Sequence, residues 1–274
     1  MKNLTADNIT EAVQRTFENS PDERLREVMS ALTAHLHDFA REVNLTRDEW
    51  LAAHDFLMRA GEISDDRRSE FMLTSDILGM SSLMDFLDQS NTEASEASLL
   101  GPFYKPNAPM LEVGGDLKGD NDGDPLWFEG RILSEDGEPI EGVLLETWQT
   151  AANGLYDLQD PDQPDVNFRC RMRTGPDGRY AFRTIKPIPY TVPHDGPVGD
   201  LLKAIKKHPW RPAHTHFRLS AAGYRTLVTE LFDEDDSYIE EDCVFGVRET
   251  LVLRYEPDGE GGYRVSYDFR LQRT

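Results

Sequence analysis

Five Asp-Gly dipeptides, at 122–123, 136–137, 177–178, 195–196 and 258–259, punctuate the last two thirds of this 274-residue chain. Several of them lie between short runs suited to strands, at 126–133, 142–149, 180–184, 217–220, 226–232 and 263–271. Asp-Gly between such runs is a hairpin signal, because the tightest two-residue turns need positive φ at their centre. Regular short strands without long helices between them predict an antiparallel sandwich or barrel. One short helix, at 201–208, interrupts the pattern.

The first ninety residues have a different period. Ser20-Pro21-Asp22-Glu23 combines an N-cap serine, a proline at the first helical position and a capping-box glutamate. Behind it Leu25, Val28, Met29, Leu32, Leu36 and Phe39 recur at helical spacing and form one apolar face. Thr46-Arg47-Asp48-Glu49 is a second capping box, opening a helix to about residue 60, and 69–88 reads as a third helical stretch. A polar stretch at 89–98 separates this region from the rest. The expected architecture is therefore α+β and mainly β: an all-helical N-terminal domain over 1–98, then an antiparallel β-sandwich over 99–274.

Charge narrows the function. Fifty-one acidic residues against 29 basic ones give a net charge of −22, which argues against nucleic acid or an anionic membrane surface as partner. A local field in a pocket can still hold an anionic small molecule. No apolar run is long enough for membrane insertion, and residues 1–7 lack the apolar core of a signal peptide. The two cysteines, Cys170 and Cys243, imply no disulfide framework, so a cytoplasmic location is expected.

Histidine is scarce beyond residue 60, at His194, His208, His214 and His216 only. His35, His37 and His54 lie on the helices and read as packing or surface residues. His214-Thr215-His216 opens a strand-like run, where residues two apart project from one face and can aim two imidazoles at one point. An isolated pair of this kind is more often structural than ligating. The chain has no Cys-rich zinc pattern and no His-Glu-x-x-His, so the pair needs other ligands. A carboxylate would suggest zinc or the ferrous facial triad, and tyrosinate something else. Two tyrosines stand in unusual company: Tyr156 in Gly154-Leu155-Tyr156, and Tyr190 in a stretch stiffened by Pro187, Pro189 and Pro193.

Leu100-Gly101-Pro102-Phe103-Tyr104, Gly154-Leu155-Tyr156, Pro187-Ile188-Pro189-Tyr190 and Arg211-Pro212-Ala213-His214-Thr215-His216, in this order and at these separations, resemble the intradiol ring-cleavage dioxygenases. The resembling region runs from about residue 99 to 269, and the helical segment ahead of it is similar to the N-terminal domain of the catechol and hydroxyquinol branch. The resemblance implies one Fe(III) per subunit, held by Tyr156, Tyr190, His214 and His216, with water or hydroxide as a further ligand. It implies an aromatic diol or triol and O2 as substrates, with both oxygen atoms entering the ring-opened product. Tyr190 then falls in the role of the axial tyrosinate that accepts a substrate proton. Arg211 takes the role of the cation that stabilises developing negative charge. Glu230 stands where many relatives carry a glutamine that assists it, a departure that puts its catalytic part in question. Similar enzymes pair through their helical segments, so a homodimer is expected, with lipid at the helical interface.

Leu100-Gly101-Pro102-Phe103-Tyr104, Phe245-Gly246-Val247 and the Leu73/Asp76 pair resemble the hydroxyquinol branch more than the catechol branch. An aspartate in the pocket has a physical rationale, since it can accept a hydrogen bond from a third ring hydroxyl that catechol lacks. The expected substrate pocket comprises Leu73, Asp76, Leu100, Gly101, Pro102, Phe103, Ile188, Pro189, Arg211 and Val244. The leading expectation is cleavage of hydroxyquinol (1,2,4-trihydroxybenzene) to maleylacetate in aromatic degradation. The alternatives are cleavage of catechol or a substituted catechol to a muconate, and a non-catalytic transthyretin-like binding module. The module would not need two tyrosines and two histidines together.

Overall fold

The computed structural model describes residues 3–88 and 93–274, so part of the polar stretch at 89–98 lies outside the described residues. The helices are α1 (Ile9–Phe17), α2 (Glu23–Glu42), α3 (Arg47–Ile63), α4 (Glu70–Ile77), α5 (Met80–Asp88) and α6 (Pro197–Ile205). The strands are β1 (Gly115–Asp116), β2 (Pro125–Ser134), β3 (Leu144–Trp148), β4 (Arg169–Arg173), β5 (Arg179–Ile185), β6 (Tyr190–Thr191) and β7 (Trp210–Arg211). They continue with β8 (His214–Ser220), β9 (Leu227–Asp233), β10 (Val252–Leu253), β11 (Glu256–Pro257), β12 (Tyr263–Ser266) and β13 (Phe269–Leu271). Residues Met1–Met58 and Arg59–Thr274 form two compact units.

Helix starts follow their caps, with one shift. The capping box at Thr46 forms: Thr46 Oγ1 accepts from the Glu49 amide at 3.3 Å, and Glu49 Oε2 from the Thr46 amide at 2.8 Å. The cap of α2 is Asp22 rather than Ser20. The Asp22 carboxylate accepts from the Leu25 amide at 2.9 Å, while the Ser20 hydroxyl is used two residues earlier, by the Asp22 amide. Asp22 wins because it is the last residue with extended backbone, which sets the N-cap. The stretch at 69–88 is two helices, not one. Gly79, at φ +73°, ends α4 in the left-handed region, and α5 restarts at Met80. Helix α6 begins earlier than 201, at Pro197 in its first turn, and ends before left-handed Lys206.

Two sheets carry the larger unit. A six-stranded sheet has the order β1-β5-β2-β12-β11, with β13 also on β2, and a five-stranded sheet the order β10-β9-β8-β3-β4. Their facing sides share one core, with Leu126, Phe128, Tyr180, Phe182 and Phe269 from the first sheet and Leu145, Met172, Phe217, Leu219 and Leu231 from the second. The sheets are mixed rather than purely antiparallel: β12 and β13 run parallel to β2, β1 to β5, and β10 to β9. The run at 263–271 breaks between β12 and β13. There the Asp268 carboxylate accepts the Arg131 amide at 2.8 Å, and the Tyr267 carbonyl takes the Tyr180 hydroxyl at 2.8 Å, replacing ladder bonds. Asp258-Gly259 does sit in a hairpin, between β11 and β12. Asp177-Gly178 instead carries the chain from β4 in one sheet to β5 in the other.

Alternation along β8 decides where the chemistry goes. Phe217 and Leu219 point into the shared core, so His214 and His216 point away from it, onto the outer face of the five-stranded sheet.

Candidate metal centre

Register assembles the site. On the outer face, His216 stands beside Trp148 of β3 and Glu230 of β9, and the Trp148 ring stacks on the His216 ring at 4.8 Å. The short β6–β7 ladder places Tyr190 opposite Arg211. Tyr156 comes from the loop after β3, backed by the Phe103 ring, stacked at 4.6 Å. Behind it runs a buried ion pair, in which Arg169 Nε donates to Asp157 Oδ1 at 2.6 Å and Nη1 to the Phe103 carbonyl at 2.6 Å. This pair ties the tyrosine loop to the 100–104 segment.

Four donor atoms converge. His214 Nε2 and His216 Nε2 are 3.2 Å apart, His216 Nε2 is 3.1 Å from Tyr156 Oη, the two phenol oxygens are 3.4 Å apart, and Tyr190 Oη is 3.5 Å from His214 Nε2. All four residues are buried. Four ligands set tetrahedrally at metal–ligand distances of about 2.0–2.1 Å lie roughly 3.3 Å from one another, so the spacing fits one first-row ion. The proton inventory agrees. His214 Nδ1 lies 2.7 Å from the Pro212 carbonyl, which fixes the proton there and leaves the Nε2 lone pair aimed inward. Burial, with help from Arg211, pulls the His214 imidazole down to about 4, and burial holds His216 well below the usual value. With its proton on Nδ1, His214 offers the Nε2 lone pair to the same point that His216 Nε2 faces. Burial pushes the Tyr190 phenol up to about 12 and Tyr156 well above its usual value, so ionising both calls for a strong local charge.

His214, His216 and Glu230 also form a three-residue cluster of conventional metal-ligand types. Glu230 is committed elsewhere. Its Oε1 accepts from Arg211 Nη1 at 2.6 Å and its Oε2 from Nη2 at 3.0 Å, and the Ser98 hydroxyl lies 2.8 Å from Oε2. Burial works to raise this carboxyl, but Arg211, His214 and His216 together hold it below the usual carboxylate range. Of the three fates open to an acidic residue here, protonated, turned away or paired, it is paired. Asp242 grips the same guanidinium from the other side, its Oδ1 and Oδ2 each 3.1 Å from Nε and Nη2.

The remaining expected residues lie on α4 and in the segments 100–103, 188–189 and 242–247. Gly101 lies against His216, and a Cβ there would stand 3.3 Å from the imidazole Cε1. Leu73 and Asp76 are buried on α4, where Asp76 Oδ1 accepts from Ser81 Oγ at 2.6 Å and the carboxyl is within electrostatic reach of Arg211. The Val244 amide reaches Asp242 Oδ1 at 3.3 Å, while Leu100 and Ile188 are partly exposed. Pro189 sits beside Tyr190 with its carbonyl near Gly154, and Pro102 is half-buried. Ser98, Ser81, Asp157, Arg169 and Asp242 were not singled out from sequence. Ser98, Asp157 and Asp242 stand next to the motifs quoted above, but Ser98 and Asp242 meet Glu230 and Arg211 only through contacts 132 and 31 residues apart along the chain.

Comparison with known proteins decides the family. The profile described as "Dioxygenase" matches residues 99–273, and "Catechol dioxygenase N terminus" matches residues 22–96. The chain belongs to the intradiol ring-cleavage dioxygenases. It is 42% identical to the 6-chlorohydroxyquinol 1,2-dioxygenase of Cupriavidus pinatubonensis over the whole of both chains. It is 43% identical to the hydroxyquinol 1,2-dioxygenase of Nocardioides simplex, over 92% of this chain and 86% of that one. The crystal structure of hydroxyquinol 1,2-dioxygenase from Pseudomonas putida superposes with a TM-score of 0.90 at 41% identity, covering 98% of this chain and 99% of that chain. This intradiol dioxygenase is therefore an enzyme whose family uses non-haem iron, and the non-catalytic binding module is set aside.

Proposed function

We propose that this dioxygenase binds one ferric ion per subunit through Tyr156, Tyr190, His214 and His216 and cleaves hydroxyquinol with O2 to maleylacetate. The ferric assignment rests on the donor set, since two hard anionic phenolates favour a trivalent ion over a divalent one. Bound there, Fe(III) would activate a ring bearing adjacent hydroxyls for direct attack by O2. The protein supplies the rest. Tyr190 Oη, in the electrostatic reach of Arg211, accepts a proton from an incoming ring hydroxyl. Tyr156 is held by Phe103 and its ion-paired loop and stays in place. Arg211, with one N–H 3.1 Å from His214 Nε2, stabilises negative charge developing beside the centre.

The observation that favours a triol is Asp76. Its carboxyl is buried, Ser81 occupies Oδ1, and among the described residues no side chain or amide donates to Oδ2. A third ring hydroxyl can donate to the solvent-reaching Oδ2, a hydrogen bond that catechol cannot supply. Oxygen uptake with hydroxyquinol and catechol in parallel tests the reading, with hydroxyquinol expected to be turned over faster. Catechol turnover far exceeding hydroxyquinol turnover would favour the muconate-forming alternative and leave the reaction class intact.

We read the chain as a helical domain over 1–98 and a catalytic β domain over 99–274, supported by the family matches at 22–96 and 99–273. A homodimer through α2 is supported by its exposed apolar face of Leu25, Leu32, Leu36 and Phe39, and lipid acyl chains would suit the same surface. Free Cys170 and Cys243 suit a cytoplasmic location.

A further inference from the structure

Four of the five N–H donors of Arg211 are held by two carboxylates, and the fifth is left facing the metal centre. Nε and one Nη2 proton go to Asp242, the other Nη2 proton and one Nη1 proton to Glu230, and the last Nη1 proton faces His214 Nε2. Two carboxylates thus share one cation, and all three groups are buried. The cluster carries an excess of one negative charge inside the protein.

That charge is fixed next to the metal centre. Glu230 Oε1 lies 3.5 Å from His214 Nε2 and 3.3 Å from His216 Nδ1. Water is kept out by backbone. A Cβ on Gly246 would stand 2.6 Å from Arg211 Nη2, 2.8 Å from Glu230 Oε2 and 3.0 Å from Asp242 Oδ2, so the Gly246 main chain closes directly over the cage. The Gly246 amide donates to Asp242 Oδ2 at 2.8 Å, and its carbonyl lies 2.7 Å from the Ser98 hydroxyl. Glu230 cannot serve as a general base in this arrangement, because Arg211 occupies both its oxygens. A neutral glutamine at this position would hold Arg211 and Asp242 in balance.

We propose that Glu230 is an electrostatic positioning residue, whose extra carboxylate charge, locked against Arg211 beside His214 and His216, stabilises the trivalent over the divalent state of the ion bound there. Charge in a buried site is screened less than at the surface, and groups touching the ligating imidazoles tune a metal through them. This rests on the ferric reading of the centre.

The test is the Fe(III)/Fe(II) midpoint potential of the iron-loaded full-length enzyme, measured by spectroelectrochemistry alongside Glu230→Gln and Glu230→Asp. Glu230→Gln keeps the size and removes the charge, and is expected to move the potential to a more positive value and the visible band to longer wavelength. Glu230→Asp keeps the charge, and should restore a potential near that of the parent. An unshifted or more negative potential in Glu230→Gln overturns the proposal, as does a shift in Glu230→Asp equal to that in Glu230→Gln. Should Glu230→Gln fail to take up iron, Asp242→Asn, which removes the same excess charge from the cage, carries the test. A more positive potential is expected, and no shift or a negative one contradicts the proposal. A parent protein that stays colourless after iron reconstitution sinks the ferric reading instead, so the two failures are distinct.

Discussion

At the scale of single residues, the centre consists of side chains whose protonation is set by burial. Of the two phenols, Tyr190 is the one that hydrogen-bonds Arg211, which suits it to move a proton rather than only to ligate. Tyr190→Phe is expected to retain part of the iron and lose activity by about a hundredfold or more, measured as kcat with saturating hydroxyquinol. Full activity in that variant would remove the assigned role. Asp76 carries a pH signature. Burial raises its carboxyl to about 6 from the model-compound value of 3.8, with Glu230 and Asp242 adding to the rise and Ser81 and Arg211 opposing it. The folded state thus holds this proton more tightly than the unfolded chain. The associated stability is present below about pH 4 and lost as the pH rises through about 6. Asp76→Asn should therefore stabilise the fold at pH 7 by up to about 3 kcal/mol and change little at pH 4, read by thermal melts at both values. The same variant should lower the ratio of hydroxyquinol to catechol turnover. The four converging donors were legible in sequence because short motifs carry them in order. The cage around Arg211 was not, because Glu230 and Asp242 meet it only through strand register and a loop closure far along the chain.

At the scale of elements, register is the device that makes the site. Pairing β8 with β3 and β9 puts Trp148, His216 and Glu230 in one row, and a slip of one residue would turn both histidines into the core. The loop carrying Gly246 then closes over the row. Gly246→Ala has no room for its methyl group and is expected to destabilise the protein by about 1–3 kcal/mol, visible in the urea midpoint, and to loosen the Arg211 cage. A fully stable, fully active variant would show that the closure is looser than described. Strands bounded by Asp-Gly and rich in β-branched or aromatic residues were readable ahead of the structure. Strand β4 was not, since Arg169-Cys170-Arg171-Met172-Arg173 hides its two core residues among arginines. Strands β6 and β7 were too short to announce themselves, yet they deliver Tyr190 and Arg211. On α2, Leu36 is 57% exposed in the middle of the apolar face, so Leu36→Glu is expected to turn a dimer into a monomer by light scattering. A parent chain that is already monomeric would refute the pairing.

At the scale of the molecule, the five-stranded sheet supplies the two histidines and Glu230, and the other large sheet supplies their support. Phe217 lies between them, next to the catalytic strand residue His216, with its ring 5.2 Å from Phe128 and 5.1 Å from Phe269. Phe217→Ala should cost about 3–5 kcal/mol and weaken iron retention together with stability, because the face bearing the histidines is held flat by the face bearing the core. The strongly acidic composition plays no part in this arrangement and fits solubility. What joins the scales is a single point on the outer face of the five-stranded sheet, where two phenols and two imidazoles meet. The most direct measurement is the visible spectrum of the iron-free protein during titration with ferric iron. A red-brown tyrosinate-to-iron band that saturates at a single equivalent per chain, and is weakened or displaced in both Tyr156→Phe and Tyr190→Phe, is the expected result. Tight uptake of one equivalent without a visible band, or a band unchanged in both variants, would contradict the account.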